Sequence, residues 1–282
     1  NDLGTDLESI ICIPLILENE IIGVLGVVNR YGRYGFDAED RRLLHAIASQ
    51  MDTAIFESLE QRHLREILDR SVDPRIMKRL LAGSATDILN CERTVLTVLY
   101  ADLRGSTALA EKTAPDLLLG FINDYLGQMT GIIFAHEGTL DKFVGDEVMG
   151  LFGAPFPQPD HALRAVQTAL EMQQVHQNVM QTWEAQGVQR TPLGIGIATG
   201  EMIVGEVGCK KRTDYTVIGR AANLGSRLCN LAKGGEILIS QTTYDLVQPA
   251  IDAIPITGLQ IKGVSDDIVI YQVKSTPAPP PY

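Results

Sequence analysis

The stretch that decides the fold is TLDKFVGDEVMGLF, residues Thr139 to Phe152. Two apolar runs flank the pair Gly145-Asp146, and a Gly-Asp pair between such runs is typical of a β-hairpin turn. Turn chemistry alone is a sufficient reason for Asp146. A further role for Asp146, or for Lys142 four residues earlier, requires other polar groups nearby, so the rest of the chain decides between the two readings.

A second stretch, VLTVLYADLRGSTALAE, ends an apolar strand at Asp102. The five residues that then turn into a helix are Leu103, Arg104, Gly105, Ser106 and Thr107. A carboxylate at a strand end can hold a metal ion while free backbone N–H groups of a helix start face a phosphate, although Asp102 could equally be a helix cap. If Asp102 and Asp146 lie on adjacent strands, they can bridge two divalent ions about 4 Å apart, which serves phosphoryl transfer.

A third stretch, DYTVIGRAANLGSRLCNLA, places a polar pair on a predicted helix. Asn223 and Arg227 are four residues apart and therefore share a face. An asparagine and an arginine on one face can stabilise a substrate oxygen and the charge of a phosphoryl-transfer transition state. Most such pairs are a solvated polar face, and Lys262 in GLQIKGV is by itself an ordinary surface lysine.

Around these stretches the pattern predicts an α+β fold, a mainly antiparallel sheet with helices on one face. The predicted elements are strands at 95–101, 215–218, 236–240 and 268–273, hairpins at 140–151 and 193–207, and helices at 114–136, 161–186 and 220–231.

The first part of the chain predicts a smaller unit. SIICIPLILENEIIGVLGVVNR indicates a β-hairpin that turns at residues 18–20. A helix follows, with Asp37 as its N-cap and apolar residues at helical spacing, and its pattern continues to about Arg70. Asp73-Pro74 ends that helix, and RIMKRLLAG predicts a short helix closed by Gly83.

Composition excludes some classes of protein. The 282 residues carry a net charge of −11 and a pI near 4.9, which argues against a nucleic-acid or acidic-membrane binder. Four scattered cysteines without a CxxC pair fit a reducing cytoplasm and give no zinc signal. We expect no membrane span and a cytoplasmic location, and the non-methionine first residue indicates a fragment of a longer protein.

From about Arg93 to about Val273 the chain resembles the catalytic domain of class III nucleotidyl cyclases. The resemblance is carried by YADLRGST, LDKFVGDEVMGLFG, GIATGEMIVGEVG and DYTVIGRAANLGSRL, in the family's order and spacing. Residues 1–57 resemble the C-terminal part of a GAF domain. The implied organisation is a partial GAF domain at 1–57, a connector helix and linker at 58–92, a ferredoxin-like cyclase domain at 93–275 and a Pro-rich tail at 276–282.

The resemblance implies a homodimer with two shared sites, each taking its metal ligands from one subunit and its base recognition from the other. Asp102 and Asp146 match the aspartates that hold two Mg²⁺ or Mn²⁺ ions, and the backbone of 103–107 would cradle the triphosphate. Four further residues match positions of the family: Asn223 and Arg227 match the transition-state pair, Lys262 matches the triphosphate lysine, and Lys142 matches the lysine that donates to the adenine ring.

The residues at the base-reading positions favour ATP as substrate. Lys142 can donate a hydrogen bond to N1 of adenine but cannot accept one from the N1–H of guanine. Thr216 matches the other base-reading position, where its hydroxyl can accept from the 6-amino group of adenine. Guanylyl cyclases typically have glutamate and cysteine at these two positions. Members with threonine are often stimulated by bicarbonate, and that response is an expectation for this chain.

The sequence therefore predicts an adenylyl cyclase that forms cyclic AMP and pyrophosphate and is regulated through the upstream segment. Two alternatives stay open: a catalytically silent nucleotide-binding dimerisation module, and a guanylyl cyclase. The chain departs from many relatives at Ala198, where histidine is common, and in GRAAN, where GDTVN is common. Neither departure touches a predicted ligand.

Overall fold

The computed structural model describes residues 7–17, 20–31, 35–71, 73–82, 91–209, 212–248, 250–257 and 269–274. The chain divides into two compact units, residues 1–72 and residues 73–282. In the first unit, antiparallel strands β1 (Ile10–Leu17) and β2 (Glu20–Val28) pack with helix α1 (Ala38–Ser71). Their small core contains Ile13, Leu15 and Ala48.

Helix α1 begins where the sequence predicted. The Asp37 carboxylate accepts from the backbone N–H groups of Glu39 at 2.9 Å and Asp40 at 3.0 Å. These bonds satisfy two of the helix's first N–H groups, which have no intrahelical partner. The helix runs 34 residues to Ser71, one residue beyond the predicted end. Gly83, the predicted end of the next helix, and residues 18–19 of the predicted hairpin turn lie outside the described residues.

The second unit holds the remaining elements. Its strands are β3 (Glu92–Leu103), β4 (Thr139–Val144), β5 (Glu147–Phe152), β6 (Leu193–Cys209), β7 (Arg212–Ile218), β8 (Ile237–Ser240), β9 (Ala253–Ile256) and β10 (Ile270–Val273). Its helices are α2 (Pro74–Ala82), α3 (Ser106–Lys112), α4 (Pro115–Ala135), α5 (His161–Glu184), α6 (Arg220–Leu231) and α7 (Gln241–Val247).

These strands form one sheet in the order β4-β5-β3-β6-β8-β10-β9, with β7 also paired to β6. Every pairing is antiparallel except that of β6 with β8. The predicted mainly antiparallel α+β fold is confirmed. Helix α7 and strand β9 were not predicted from the sequence.

The predicted hairpin at 193–207 is wrong, because those residues form part of the single strand β6. The strand is 17 residues long, and its many glycines resemble turn signals in the sequence. Its first part pairs with β3 and its last part with β7, so backbone partners are available along its whole length. Partners distant in sequence therefore override the local turn preference of glycine.

The helices lie on both faces of the sheet, not on one face as predicted. Leu99, Ala101 and Leu103 of β3 pack in the core that contains the buried residues of α4 and α5. The residues of β3 that lie between these positions pack in a second, separate core with Ala221 and Cys229 of α6. Side chains alternate between faces along a strand, so α6 covers the opposite face from α4 and α5.

Helix α4 is long and apolar enough to cross a membrane by length and composition alone, whereas no such apolar run was expected from the sequence. In this structure Phe121, Tyr125 and Met129 of α4 are fully buried in the core of the second unit. Packing on the sheet thus accounts for the buried face of α4, whereas Leu119 of the same helix is exposed.

Helix α6 rests directly on the sheet through glycine. A Cβ built on Gly196 of β6 would lie 2.7 Å from Cα of Cys229 and closer still to its backbone nitrogen. From the helix side, a Cβ on Gly225 would lie 2.9 Å from a methyl of Val98. These glycines permit close approach of two backbones, which fixes the position of α6 and of the residues it carries.

We predict that Gly196→Ala destabilises the second unit by about 3 kcal/mol or more, because the added methyl overlaps helix backbone that cannot move without disrupting the core. Gly127→Ala is the matched control. Gly127 lies on an exposed part of α4 with open space around it, so alanine there should leave stability unchanged or raise it by up to about 1 kcal/mol. Urea unfolding of both variants checks this, and equal stabilities would contradict the close packing of α6.

Candidate active site

The structure brings the two predicted metal aspartates together. Asp102 ends β3 opposite Gly194 of β6, and Asp146 lies in the turn between β4 and β5. Burial raises the pKa of the Asp102 carboxyl, the neighbouring Asp146 carboxylate raises it further, and Arg104 opposes that rise. One carboxylate oxygen of Asp146, Oδ2, is buried and has no hydrogen-bond partner among the described residues.

These features fit a divalent cation. Carboxylate oxygens are the ligands that Mg²⁺ prefers, and an unpartnered buried oxygen beside a second carboxylate supplies two of them. The described residues contain no group of three or more His, Cys, Asp or Glu side chains suited to a metal.

Arg104 joins this pair to helix α6. Its Nη1 donates to Oδ2 of Asp102 at 2.5 Å, and its other nitrogens donate to the carbonyls of Cys229 at 2.5 Å and Ala232 at 2.9 Å. The guanidinium lies over Gly194, where a Cβ would be 2.7 Å from Cζ. The Cys229 carbonyl also accepts from the backbone N–H of Ala232 at 3.1 Å, and Ala232 is the residue that follows α6. Arg104 therefore joins the C-terminal end of α6 to the end of β3.

The predicted phosphate loop is only partly available. The backbone N–H of Arg104 donates to the carbonyl of Pro192 at 2.8 Å, so that group is already satisfied. Leu103 is buried, whereas Gly105 and Thr107 are exposed and Ser106 is half-buried. Gly105 has a φ of 82°, a left-handed conformation that glycine adopts without strain, and it starts α3 beside Asp102.

A second cluster joins the two predicted base-reading residues. Oγ1 of Thr216 donates to Oδ2 of Asp141 at 2.6 Å, and Nζ of Lys142 lies 3.6 Å from Oδ1 of Asp141. The Asp141 side chain is fully buried. Burial raises the pKa of Asp141, while the Thr216 hydroxyl and the Lys142 ammonium oppose that rise. The sequence analysis missed Asp141, although an acidic residue beside Lys142 in an otherwise apolar strand is a visible signal.

The remaining predicted residues lie on α6 or outside the described part of the chain. Asn223 is exposed and Arg227 is half-buried, one helical turn apart as predicted. Neither is hydrogen-bonded to Asp102, Asp146 or Thr216. Lys262 lies outside the described residues, so its predicted role stays a prediction.

Comparison with known proteins identifies the family. Residues 91–275 match the family described as the adenylate and guanylate cyclase catalytic domain. The chain belongs to this family. Residues 2–55 match the GAF domain family, which agrees with the resemblance of the first unit. The predicted domain boundaries at 57, 92 and 275 stay predictions.

The chain is similar to adenylyl cyclases and to a guanylyl cyclase. The adenylate cyclase of Anabaena cylindrica is 36% identical over 190 residues, which are 64% of this chain and 37% of that protein. The solved adenylyl cyclase CyaB of P. aeruginosa is 39% identical with a TM-score of 0.66, covering 67% of this chain and 98% of that one. The solved guanylyl cyclase Cya2 is 40% identical with a TM-score of 0.64, covering 67% and 96%.

Two facts limit what these relatives imply. The chain spans 37% of the length of the Anabaena relative and 28% of that of adenylate cyclase 1 of Rhizobium meliloti. The solved adenylyl and guanylyl cyclases are equally similar to this chain. Overall similarity to these two solved structures therefore does not distinguish ATP from GTP as the substrate.

We predict that Arg104→Ala destabilises the second unit by about 3 kcal/mol, since it removes the donor to the Asp102 carboxylate and to the Ala232 carbonyl and one of two donors to the Cys229 carbonyl. Arg104→Lys keeps the charge but not the planar fork, and should recover less than half of that loss. Arg93→Ala on β3 removes an exposed ion pair with Glu201 and should cost at most about 1 kcal/mol. If urea unfolding gives Arg104→Ala and Arg93→Ala the same free energy of unfolding, the structural role of Arg104 is contradicted.

Proposed function

We propose that this chain is an adenylyl cyclase that converts ATP to 3′,5′-cyclic AMP and pyrophosphate. Family membership supports cyclase chemistry, and the observation that carries the choice of ATP is the cluster of Asp141, Lys142 and Thr216. Lys142 supplies a donor for the unprotonated N1 of adenine, and the Thr216 oxygen supplies an acceptor for the 6-amino group. Guanine presents the opposite polarity at both positions.

The reaction is an intramolecular phosphoryl transfer. The ribose 3′-hydroxyl releases its proton to the surrounding water and its oxygen forms a bond to the α-phosphorus. The bond from that phosphorus to the bridging oxygen of the β-phosphate breaks, and pyrophosphate leaves. Asp102 and Asp146 would hold two Mg²⁺ or Mn²⁺ ions at the reacting end. When bound, such ions make the 3′-hydroxyl more acidic and neutralise phosphate charge.

The protein's own residues orient the substrate and offset charge. Arg227 would offset the negative charge that develops on the α-phosphate, and Asn223 would hold a ribose oxygen. Loss of a preorganised donor of this kind raises the barrier by about 3–4 kcal/mol. The exposed backbone at Gly105 to Thr107 and the Lys262 ammonium would face the triphosphate.

The proposal includes a homodimer. Each site would take Asp102 and Asp146 from one subunit and Lys142, Thr216 and the α6 pair from the other. The family resemblance supports this arrangement. Within one chain, Asp102 is hydrogen-bonded to Arg104 and Thr216 is hydrogen-bonded to Asp141, so the aspartate pair and the base-reading cluster belong to different hydrogen-bond networks.

Regulation through the segment before the cyclase domain belongs to the same proposal. Asp73 accepts from the N–H of Arg75 at 2.7 Å with one oxygen and from the N–H of Leu140 at 2.7 Å with the other. Asp73 therefore links the start of α2 to β4, the strand that carries Lys142.

The proposal has two further parts. Bicarbonate would stimulate the enzyme, and the enzyme would act in the cytoplasm, where ATP is available.

The direct test is nucleotide turnover by the purified chain with Mg²⁺ or Mn²⁺. We expect cyclic AMP from ATP, and at least tenfold less cyclic GMP from GTP, since a site that hydrogen-bonds one base rejects another whose polar groups do not match. Asp146→Asn keeps the shape of the side chain but removes its charge, and should lower turnover about 100-fold or more.

Each alternative has its own outcome. Faster turnover of GTP than ATP would identify a guanylyl cyclase. A folded dimer that binds ATP but forms no cyclic product with either ion would identify a silent nucleotide-binding module. Turnover that is undiminished in Asp146→Asn would contradict the assigned ion-binding role of the aspartates.

A further inference from the structure

Asp141 occupies an unusual position between the two base-reading residues. Its side chain is fully buried, one oxygen accepts from the Thr216 hydroxyl, and the other has no hydrogen-bond partner and lies 3.6 Å from the Lys142 ammonium. Burying a carboxylate with one unsatisfied oxygen costs stability, so an apolar residue would serve the fold better. The arrangement points to a function for the charge itself.

A β-bulge creates this arrangement. Leu140 of β4 pairs with Gly150 of β5, and Lys142 pairs with Met149, the neighbour of Gly150 in β5. Asp141 lies between two paired residues and is therefore the extra residue of the bulge. Leu140 packs with the core under α4 and α5, whereas Met149 belongs to the core on the α6 side. The bulge therefore reverses the alternation of β4 and allows the adjacent residues Asp141 and Lys142 to interact.

The hydrogen bond between Thr216 and Asp141 has a direction. A threonine hydroxyl has one donor hydrogen and two acceptor lone pairs, and an ionised carboxylate can only accept. Burial raises the pKa of Asp141, while the bond from Thr216 and the Lys142 ammonium 3.6 Å from Oδ1 both favour the ionised form. Thr216 thus spends its only donor on Asp141, and its oxygen can only accept from any other group.

We propose that Asp141 is a specificity-determining positioning residue, which holds the Thr216 hydroxyl as an acceptor and so selects a 6-amino purine over a 6-oxo purine. The proposal rests on the proposed function, because it concerns the base of the cyclase substrate. A free threonine hydroxyl could rotate and donate to the 6-oxygen of guanine. With Asp141 in place that oxygen would face a lone pair, and two facing acceptors leave both unsatisfied.

Asp141→Asn tests the proposal by inverting polarity without changing shape. The Lys142 ammonium attracts the amide oxygen to the Oδ1 position, which turns the amide NH₂ toward Thr216. The hydroxyl then accepts from Asn and becomes free to donate. We expect the ratio of kcat/KM for ATP to that for GTP to fall by about tenfold or more.

Two further variants separate orientation from structural damage. Asp245→Asn removes the same charge from an exposed position on α7 and should leave the ratio unchanged. Thr216→Val removes the hydroxyl, so adding Asp141→Asn to it should not change the ratio further. A merely structural role of Asp141 would instead lower turnover of both nucleotides alike, with or without the hydroxyl.

The outcomes are distinguishable from those of the proposed function. If the wild-type chain forms no cyclic AMP, the proposed function fails. If the wild type forms cyclic AMP and folded Asp141→Asn keeps the wild-type ratio, only the role of Asp141 is overturned. Should Asp141→Asn not fold, Asp141→Ser frees the Thr216 hydroxyl by shortening the side chain, and an unchanged ratio in that variant overturns the proposal equally.

Discussion

The contact on which the site depends most is the direct packing of helix α6 on the glycines of β6. No side chain separates the backbone of α6 from that of β6 at Gly196. Direct backbone contact therefore fixes the distance of α6 from the sheet. Asn223 and Arg227 inherit their positions from this contact. The same end of the sheet presents Gly194, which leaves room for the Arg104 guanidinium between Asp102 and the last carbonyls of α6.

Buried carboxylates serve different purposes on the two sides of the β4-β5 hairpin. At its turn, Asp146 lies close enough to Asp102 to raise the pKa of the Asp102 carboxyl. At its bulge, Asp141 has a hydroxyl and an ammonium as neighbours and needs no cation. In the proposed function, this short hairpin carries both the ion-binding Asp146 and the base-reading Lys142.

The sequence predicted the elements whose signals are local. The cap at Asp37, the hairpin around Asp146 and the shared face of Asn223 and Arg227 follow from spacing and turn chemistry, and the structure has them. The meeting of Asp102 with Asp146 was a hypothesis that needed adjacent strands, and β3 and β5 are adjacent.

The features that were missed depend on residues distant in the chain. The Asp141–Thr216 bond spans 75 residues, and the bonds from Arg104 to α6 span 125 and 128. The bulge in β4 cannot be predicted from the order of apolar and polar residues, because that order fits the strand with or without one extra residue. The length of β6 likewise depended on its partners β3 and β7, not on its own glycines.

The central claim is that one chain carries two complementary half-sites, and mixing inactive variants tests it most directly. Asp102→Ala and Arg227→Ala chains should each be nearly inactive as homodimers. Mixed in equal amounts, half of the dimers would carry one intact site, so about a quarter of wild-type cyclic AMP formation should return. No recovery, in a mixture in which differently tagged chains are shown to form heterodimers, would contradict the shared-site account.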